Sequence, residues 1–351
     1  MTICHTADLH IRNDVPERLE ALRTVLATAR EAGGDLLVIS GDLFDRESDA
    51  RRSVTAVREL FQESPLPVVV IPGNHDAHAF QEGAFFGERV TVLGWEPLEL
   101  EACTLVGVPF EGNLGMERLA PRLRQAAASM RGDKPRICLF HGELLDSFFS
   151  RSELGEEGDG RYMPARLSYF ADAGFDYVLA GHMHASFSVW QSANRCYFCY
   201  PGSPVAITNR EIGPRVLDRL ELGGAPQRYA LDTPFVSKVN LRLDPFDERD
   251  PVEGLAELCR QAPAGARLLV TIDGYVDPGR TEQDLVSAFK QVLSEYELAA
   301  PPRYLFQDVR SVLGEPLFQA FEKRLEERKL SAEETERVRR EALRAFMEIS
   351  Q

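Results

Sequence analysis

The chain has 351 residues, 44% of them hydrophobic and 27% charged, with a formal net charge of −15. That composition fits a globular protein of two or three domains and speaks against a large basic surface for nucleic acid. No apolar run approaches the roughly 20 residues that span a bilayer, and strand-like Met1 to Thr6 meets Asp8 before any leader-like apolar core, so a cytoplasmic protein with no membrane contact is expected.

From the first residue onward, strand and helix alternate. Val15 to Ala32 carries Leu19, Leu22, Val25, Leu26 and Ala29 at helical spacing and stops at Gly33-Gly34. A strand begins at Asp35. Ser53 to Gln62 reads as a helix on the stripe of Val54, Val57, Leu60 and Phe61, and Pro65 and Pro67 break the chain before a strand at Val68. Leu98 to Val108 reads as further strands and Met116 to Met130 as a helix. Ser186 to Gln191, Arg195 to Tyr200 and Arg215 to Leu222 read as strands. Such alternation implies an α/β fold with mixed sheets whose faces are covered by helices. A boundary is expected near Asp232 to Phe235. Strands at Val236 to Leu243, Arg267 to Gly274 and Tyr304 to Val309 then alternate with helices at Val252 to Gln261 and Glu282 to Leu293. Glu315 to Lys329 reads as a helix with Leu317, Phe318, Phe321 and Leu325 on one face. Ser331 to Glu334 fits a capping box for a last helix carrying Val338, Ala342, Phe346 and Ile349. The expected domains are 1–232, 233–312 and 313–351.

Five of the short apolar runs end in residues that bind metals. Ile3 to Thr6 leads to Asp8 and His10, Leu36 to Ser40 to Asp42, and Val68 to Ile71 to Asn74, His75 and Asp76. Ile137 to Phe140 leads to His141, and Tyr177 to Ala180 to His182 and His184. Such runs read as strands buried on both faces, and ligands in open α/β sheets bind beyond the carboxyl ends of strands. Five of the seven histidines lie in these motifs, a bias that packing does not produce. Imidazole, carboxylate and amide oxygen without thiolate suit Mn, Fe or Zn. Asp8, His10, Asp42, Asn74, His141, His182 and His184 are too many donors for one ion and suit two that share a carboxylate, with Asp42 the natural bridge. Asp8 and His10 are expected to face the same way on an extended segment. Cys4 and Cys138 fall within buried strands, and Cys196-x-x-Cys199 has no second pair, so both pairs read as strand residues in a reducing compartment.

The set Asp8-Leu-His10, Gly41-Asp42, Gly73-Asn-His-Asp76, His141 and Gly181-His-Met-His184 resembles the calcineurin-like metallophosphoesterase family over about residues 1 to 232. More narrowly, His5-Thr-Ala-Asp-Leu-His10, Gly41-Asp-Leu-Phe-Asp45 and Tyr200-Pro-Gly-Ser203 resemble the bacterial Mre11/SbcD-like DNA repair exonuclease branch. The resemblance implies a metallophosphoesterase sandwich, a small α/β capping domain and a C-terminal helical hairpin that docks a Rad50/SbcC-like coiled-coil ATPase. It implies one metal on Asp8, His10, Asp42 and His184 and another on Asp42, Asn74, His141 and His182, Mn²⁺ foremost, with Fe²⁺ and Zn²⁺ as alternatives. His75 would act at the phosphate, oriented by Asp76. Where archaeal and eukaryotic members usually have His, this chain has Asp45, whose role stays open. His5 and His78 read as packing or supporting residues, and the C-terminal apolar faces could instead pack on their own domain. The function so implied is a two-metal phosphodiesterase acting on DNA in double-strand-break repair. The alternatives are a phosphodiesterase for small nucleotides and a non-catalytic metal-binding scaffold. A homodimer is compatible with all three.

Overall fold

The computed structural model describes residues 1–80, 84–112, 115–146, 163–185, 187–245, 247, 249–276, 280–328 and 330–349. The chain divides into two compact units, Met1–Phe235 and Val236–Gln351.

In chain order the first unit holds β1 (Thr2–Thr6), α1 (Pro16–Glu31), β2 (Leu36–Ser40), α2 (Glu47–Glu63), β3 (Val68–Ile71), a 3₁₀ turn (Ala77–Phe80), β4 (Val90–Val92), β5 (Leu98–Glu99) and β6 (Thr104–Val108). It continues with α3 (Met116–Ser129), β7 (Arg136–His141), α4 (Leu167–Ala173), β8 (Tyr177–Gly181), β9 (Ser188–Gln191), β10 (Tyr197–Tyr200), β11 (Val216–Glu221) and β12 (Gln227–Ala230). These strands form two six-stranded sheets, ordered β12-β11-β1-β2-β3-β4 and β5-β6-β7-β8-β10-β9. In the first, β1 to β4 run parallel and β11 joins β1 antiparallel. In the second, β6, β7, β8 and β10 run parallel between antiparallel edges.

Alternation along each strand explains the layers. Ile3, Val38, Ile71, Leu105, Leu139 and Leu179 turn inward and form one cluster between the sheets. Cys4, Leu37, Ile39 and Val70 turn outward onto Leu22, Val25, Val57 and Phe61 of α1 and α2. Cys138, Phe140, Val178 and Phe198 turn outward onto Leu119, Leu123 and Phe170 of α3 and α4. Both strand faces are therefore dry, which is why the runs are apolar throughout. His5 lies within the inner layer, its Nδ1 3.3 Å from Asp218 on the neighbouring strand. Cys196 sits in the outer cluster while Cys199, three residues on, does not, so the two thiols do not share a face.

Helix α2 begins at Glu47, six residues before the expected Ser53. Its first turn is acidic, which suits a helix N-terminus but carries no apolar stripe to announce it. Strand β9 begins at Ser188, and Ser186 lies outside the described residues. The short β4 and α4 were not anticipated.

The second unit holds β13 (Phe235–Leu243), α5 (Pro251–Gln261), β14 (Ala266–Val276), α6 (Glu282–Leu293), β15 (Arg303–Asp308), α7 (Arg310–Leu313), α8 (Pro316–Glu326) and α9 (Ala332–Ile349). Its three strands form a sheet ordered β13-β14-β15, and Leu255, Cys259, Leu285 and Phe289 of α5 and α6 pack on it. The capping box forms: Ser331 Oγ accepts from Glu334 N at 3.2 Å, and Glu334 accepts from Ser331 N at 3.0 Å. Phe318, Leu343 and Met347 are buried against Tyr275, Val309 and Val312. The inward face of α9 is thus centred on Leu343 and Met347, one position past the expected Ala342 and Phe346, which flank it. Leu317 was expected on the same face as Phe318, but it is 69% exposed. The Ile349 side chain and Lys329 lie outside the described residues.

Candidate metal centre

The carboxyl ends of β1, β2, β3, β7 and β8 meet at one place, where the two sheets face each other. His141 ends β7, and the other motif residues follow their strands within a few positions. The loops after β1 and β2 are laced together by Asp8 N–H to Gly41 O (3.1 Å), His10 N–H to Asp42 O (2.9 Å) and Ile11 N–H to Leu43 O (2.9 Å). This lacing bends the chain. Asp8, His10 and Asp42 have φ of 57°, 46° and 51°, and His182 has 102°. The expected extended segment at Asp8 to His10 is therefore left-handed at both ends. Non-glycine residues reach that region at an energetic cost, and such outliers gather at functional sites. Gly41 and Gly73 make the close approach feasible. A Cβ on Gly41 would lie 2.1 Å from His141 Nδ1, and one on Gly73 would lie 2.1 Å from Asp42 Oδ1.

Single donor atoms from Asp8, His10 and His184 lie within 4.8 Å of one another, as do those of Asp8, Asp42 and His141. Asp8 belongs to both groups. Asn74 joins the second, its Oδ1 2.9 Å from His141 Nε2. The His182 ring lies 5.5 Å from that of His141, and its backbone N–H donates to Asp8 at 2.9 Å. Asp42 Oδ1 accepts from His75 N–H (2.9 Å), while its Oδ2 lies 3.2 Å from His141 Nε2 and 3.6 Å from His10 Nε2.

The proton positions test whether this donor set fits cations. His141 Nδ1–H donates to the Ser40 carbonyl at 2.8 Å, so Nε2 of the neutral ring carries a lone pair. That lone pair faces two oxygens, Asn74 Oδ1 and Asp42 Oδ2, which are also acceptors. His10 Nδ1 lies 3.3 Å from Asp45 Oδ1, and His184 Nδ1 lies 3.4 Å from Glu211 Oε1. These carboxylates are acceptors placed toward the two Nδ1 atoms, and with the ring protons on Nδ1 the two Nε2 lone pairs face each other at 3.1 Å. Acceptors aimed at acceptors in a buried site need positive charge between them. With a proton supplying it, burial works against charge on His141, but Asp42 and Asp8 outweigh it and lift this imidazole to about 10. Burial likewise opposes ionisation of Asp42, yet His141, His10 and His75 hold its carboxyl well below the usual range.

Asp8, His10, Asp42, His141, His182 and His184 are all buried, whereas Asn74, His75 and Asp45 are half-buried. The centre is reached from the His75 side. The His75 ring lies 4.7 Å from that of His10, and its Nδ1–H donates to the Asp45 carbonyl at 3.0 Å. Asp76, expected to orient His75, has a structural task in the turn. Its carboxylate folds back into the turn to accept from Gly73 N–H (2.8 Å) and Phe44 N–H (3.1 Å), binding the turn after β3 to the loop after β2. Asp45 backs His10 and pairs with Arg18 at 3.2 Å. Burial disfavours its charge, but His10 and Arg18 bring the carboxyl down to about 2. His78 is exposed in the 3₁₀ turn. Glu211 and Arg18 were not singled out from sequence. Neither ends an apolar strand, so neither carried the signal that marked the others.

Among known proteins, the SbcD component of the nuclease SbcCD from Staphylococcus epidermidis is 25% identical over 293 residues, covering 72% of this chain and 72% of that protein. The DNA double-strand break repair protein Mre11 of Methanopyrus kandleri is 26% identical over 243 residues, covering 60% of this chain and 50% of that protein. Mre11 of Archaeoglobus fulgidus is 33% identical over 86 residues, 22% of this chain and 19% of that one. The family signature of the calcineurin-like phosphoesterases matches residues 1–186. That is more than half of the chain and spans every residue from Asp8 to His184, so the chain belongs to this family of divalent-metal-dependent hydrolases.

Proposed function

We propose that this hydrolase is a two-metal-ion phosphodiesterase that cuts DNA in double-strand-break repair, in the cytoplasm, together with a Rad50/SbcC-like coiled-coil ATPase. The observation that carries the reading is the buried close approach of ligand atoms: His10 Nε2 to His184 Nε2 at 3.1 Å, and His141 Nε2 to Asn74 Oδ1 at 2.9 Å and Asp42 Oδ2 at 3.2 Å. Asp8, His10, Asp42 and His184 would hold one ion, and Asp42, Asn74, His141 and His182 the other. Two such ions, Mn²⁺ being the best match to nitrogen and oxygen donors without thiolate, would supply charge for attack of water on a phosphate diester.

The chain's own residues do the rest. Asp42 turns one oxygen to the His75 backbone and the other toward His10 and His141, so its carboxylate is fixed between the two donor groups. Asp45 and Ser40 hold His10 and His141 in the tautomer that presents Nε2. His75 stands on the open side, and its Nδ1–H is engaged by Asp45 O, so Nε2 is the atom left to face the phosphate, and only the imidazolium form of the ring would give a proton from it to the departing oxygen. A net charge of −15 leaves DNA affinity to the ions and the partner rather than to a basic surface. The relatives named as part of a nuclease and as repair proteins support DNA as the substrate.

For the ATPase, the outer faces of α8 and α9 are the proposed contact, with Leu317 on α8 and Leu330 in the turn between the helices as exposed apolar side chains. The test is cleavage of single- and double-stranded oligonucleotides with Mn²⁺, with and without the ATPase, and after chelation. Metal-dependent cleavage supports the reading. Turnover of a small chromogenic diester without DNA cleavage would redirect it to nucleotide substrates. Full activity after exhaustive chelation would refute it.

A further inference from the structure

The Tyr200-Pro-Gly-Ser203 stretch begins at the last residue of β10. It leads into a loop, residues 201–215, that lies beyond the stretch matching the family signature. In this loop Glu211 is 2% exposed. Its Oε2 accepts from Ser203 Oγ–H (2.9 Å) and Ile207 N–H (2.8 Å), and its Oε1 accepts from Thr208 N–H (3.1 Å). Oε1 also lies 3.4 Å from His184 Nδ1, long for a hydrogen bond, yet that nitrogen is buried and has no other hydrogen-bond partner among the described residues. The same loop grips the His184 backbone, whose carbonyl accepts from Ser203 N–H (3.1 Å) and from the Arg215 guanidinium. Arg215 also donates to Ser203 O at 2.8 Å, closing the loop on itself.

We propose that Glu211 is a positioning residue for His184, and that the loop from Ser203 to Arg215 is the device that holds it. With the Thr208 hydroxyl, which also donates to Oε1 at 3.3 Å, four donors fix the carboxylate so that it can accept from His184 Nδ1–H in one orientation only. The ring then presents Nε2 toward His10 and Asp8. A negative charge behind an imidazole also raises its basicity as a ligand. Asp45 serves His10 in the same way from the other side. The two ring nitrogens that face each other at 3.1 Å are thus each backed by a carboxylate, one from a strand-end motif and one from a loop outside it.

The inference rests on the two-metal reading, and the test separates the two. In full-length protein, Glu211→Gln should weaken one of the two Mn²⁺ sites by about 10–100-fold, the usual effect of removing such a support, and leave the other unchanged. Free Mn²⁺ is followed by electron paramagnetic resonance during titration. Unchanged affinity at both sites overturns the proposal, and so does equal loss at both, which would mark general collapse of the loop. If unmodified protein binds no Mn²⁺, the metal reading itself falls. A second measurement needs no variant. Long-range ¹H–¹⁵N spectra of the Zn²⁺-loaded protein should show His184 protonated at Nδ1. A proton on Nε2 overturns the proposal.

Discussion

Replacing Asp42 by Asn is the sharpest test of the centre, because the structure says what the amide would do. The side-chain oxygen can stay where Oδ1 is, accepting from His75 N–H at 2.9 Å. The amide nitrogen then takes the place of Oδ2, 3.2 Å from His141 Nε2 and 3.6 Å from His10 Nε2. Both nitrogens are acceptors when Ser40 and Asp45 hold the ring protons at Nδ1. The –NH₂ can therefore donate where cations would otherwise sit. The fold should persist, but the metal-free protein should melt at a lower temperature, since Asp42 carries the charge that pairs with the buried His141 imidazolium. Metal binding should suffer twice. Loss of a residue that only supports a ligand weakens metal binding by about 10–100-fold, so loss of a charged ligand shared by two ions should weaken each by at least that much. Mn²⁺ titration by isothermal calorimetry, thermal melts with and without Mn²⁺, and turnover of bis-p-nitrophenyl phosphate together read this out. Two ions bound with unchanged affinity and near-normal turnover would refute Asp42 as the shared ligand.

His75→Ala should keep both metal sites and lower turnover by about 10²–10⁴-fold, the usual range for a proton donor at the departing group; loss of one ion on metal analysis would mean the ring is a ligand instead. Phe318→Ala should destabilise the second unit by about 3–5 kcal/mol in denaturant unfolding, because the ring is buried against Tyr275 and Val312; a change under about 1 kcal/mol would contradict that packing. Leu317→Glu, by contrast, should leave the melt unchanged and abolish recovery of a Rad50/SbcC-like ATPase in a pull-down, and full recovery would remove the proposed contact. All six cysteines are buried, and burial pushes Cys196 up to about 12 and Cys4 and Cys103 up to about 11. The native protein at about pH 8 should therefore give no fast reaction with a thiol-specific reagent, and one equivalent reacting on mixing would show an open thiol.

Most of the centre was legible in the sequence because its residues follow strands buried on both faces. Asp8, Asp42, Asn74, His141 and His182 each end a run of four to six apolar residues, and parallel strands bring such ends together at one edge. Spacing alone could not give the conformation of the loops. Residues 8 and 10 alternate like an extended pair, but hydrogen bonds to Gly41 and Asp42 force both into left-handed geometry. Nor could it give the partner of His75. Asp76 is adjacent in sequence, yet it is spent on Gly73 and Phe44, and the Asp45 carbonyl, 30 residues away, takes the ring. Glu211 was hidden for a different reason: it ends no strand, its loop has no regular structure, and its role depends on a fold that returns residue 211 to residue 184.

The C-terminal helices show the limit of amphipathic reading most directly. A stripe at helical spacing says that a face must be covered, not by what. On α8 the stripe divides: Phe318 and Leu325 are buried and Leu317 is exposed. On α9 the buried positions are Leu343 and Met347, with Ala342 and Phe346 on the shoulder. A rotation of one position is about 100°, enough to turn a face from its own unit toward solvent. The covered side of the hairpin is thus explained by Tyr275, Val309 and Val312, and needs no partner. Truncating residues 315–351 would uncover those three side chains, so it would report on folding of the second unit as much as on docking. Only a substitution confined to the outer face, such as Leu317→Glu, separates the two.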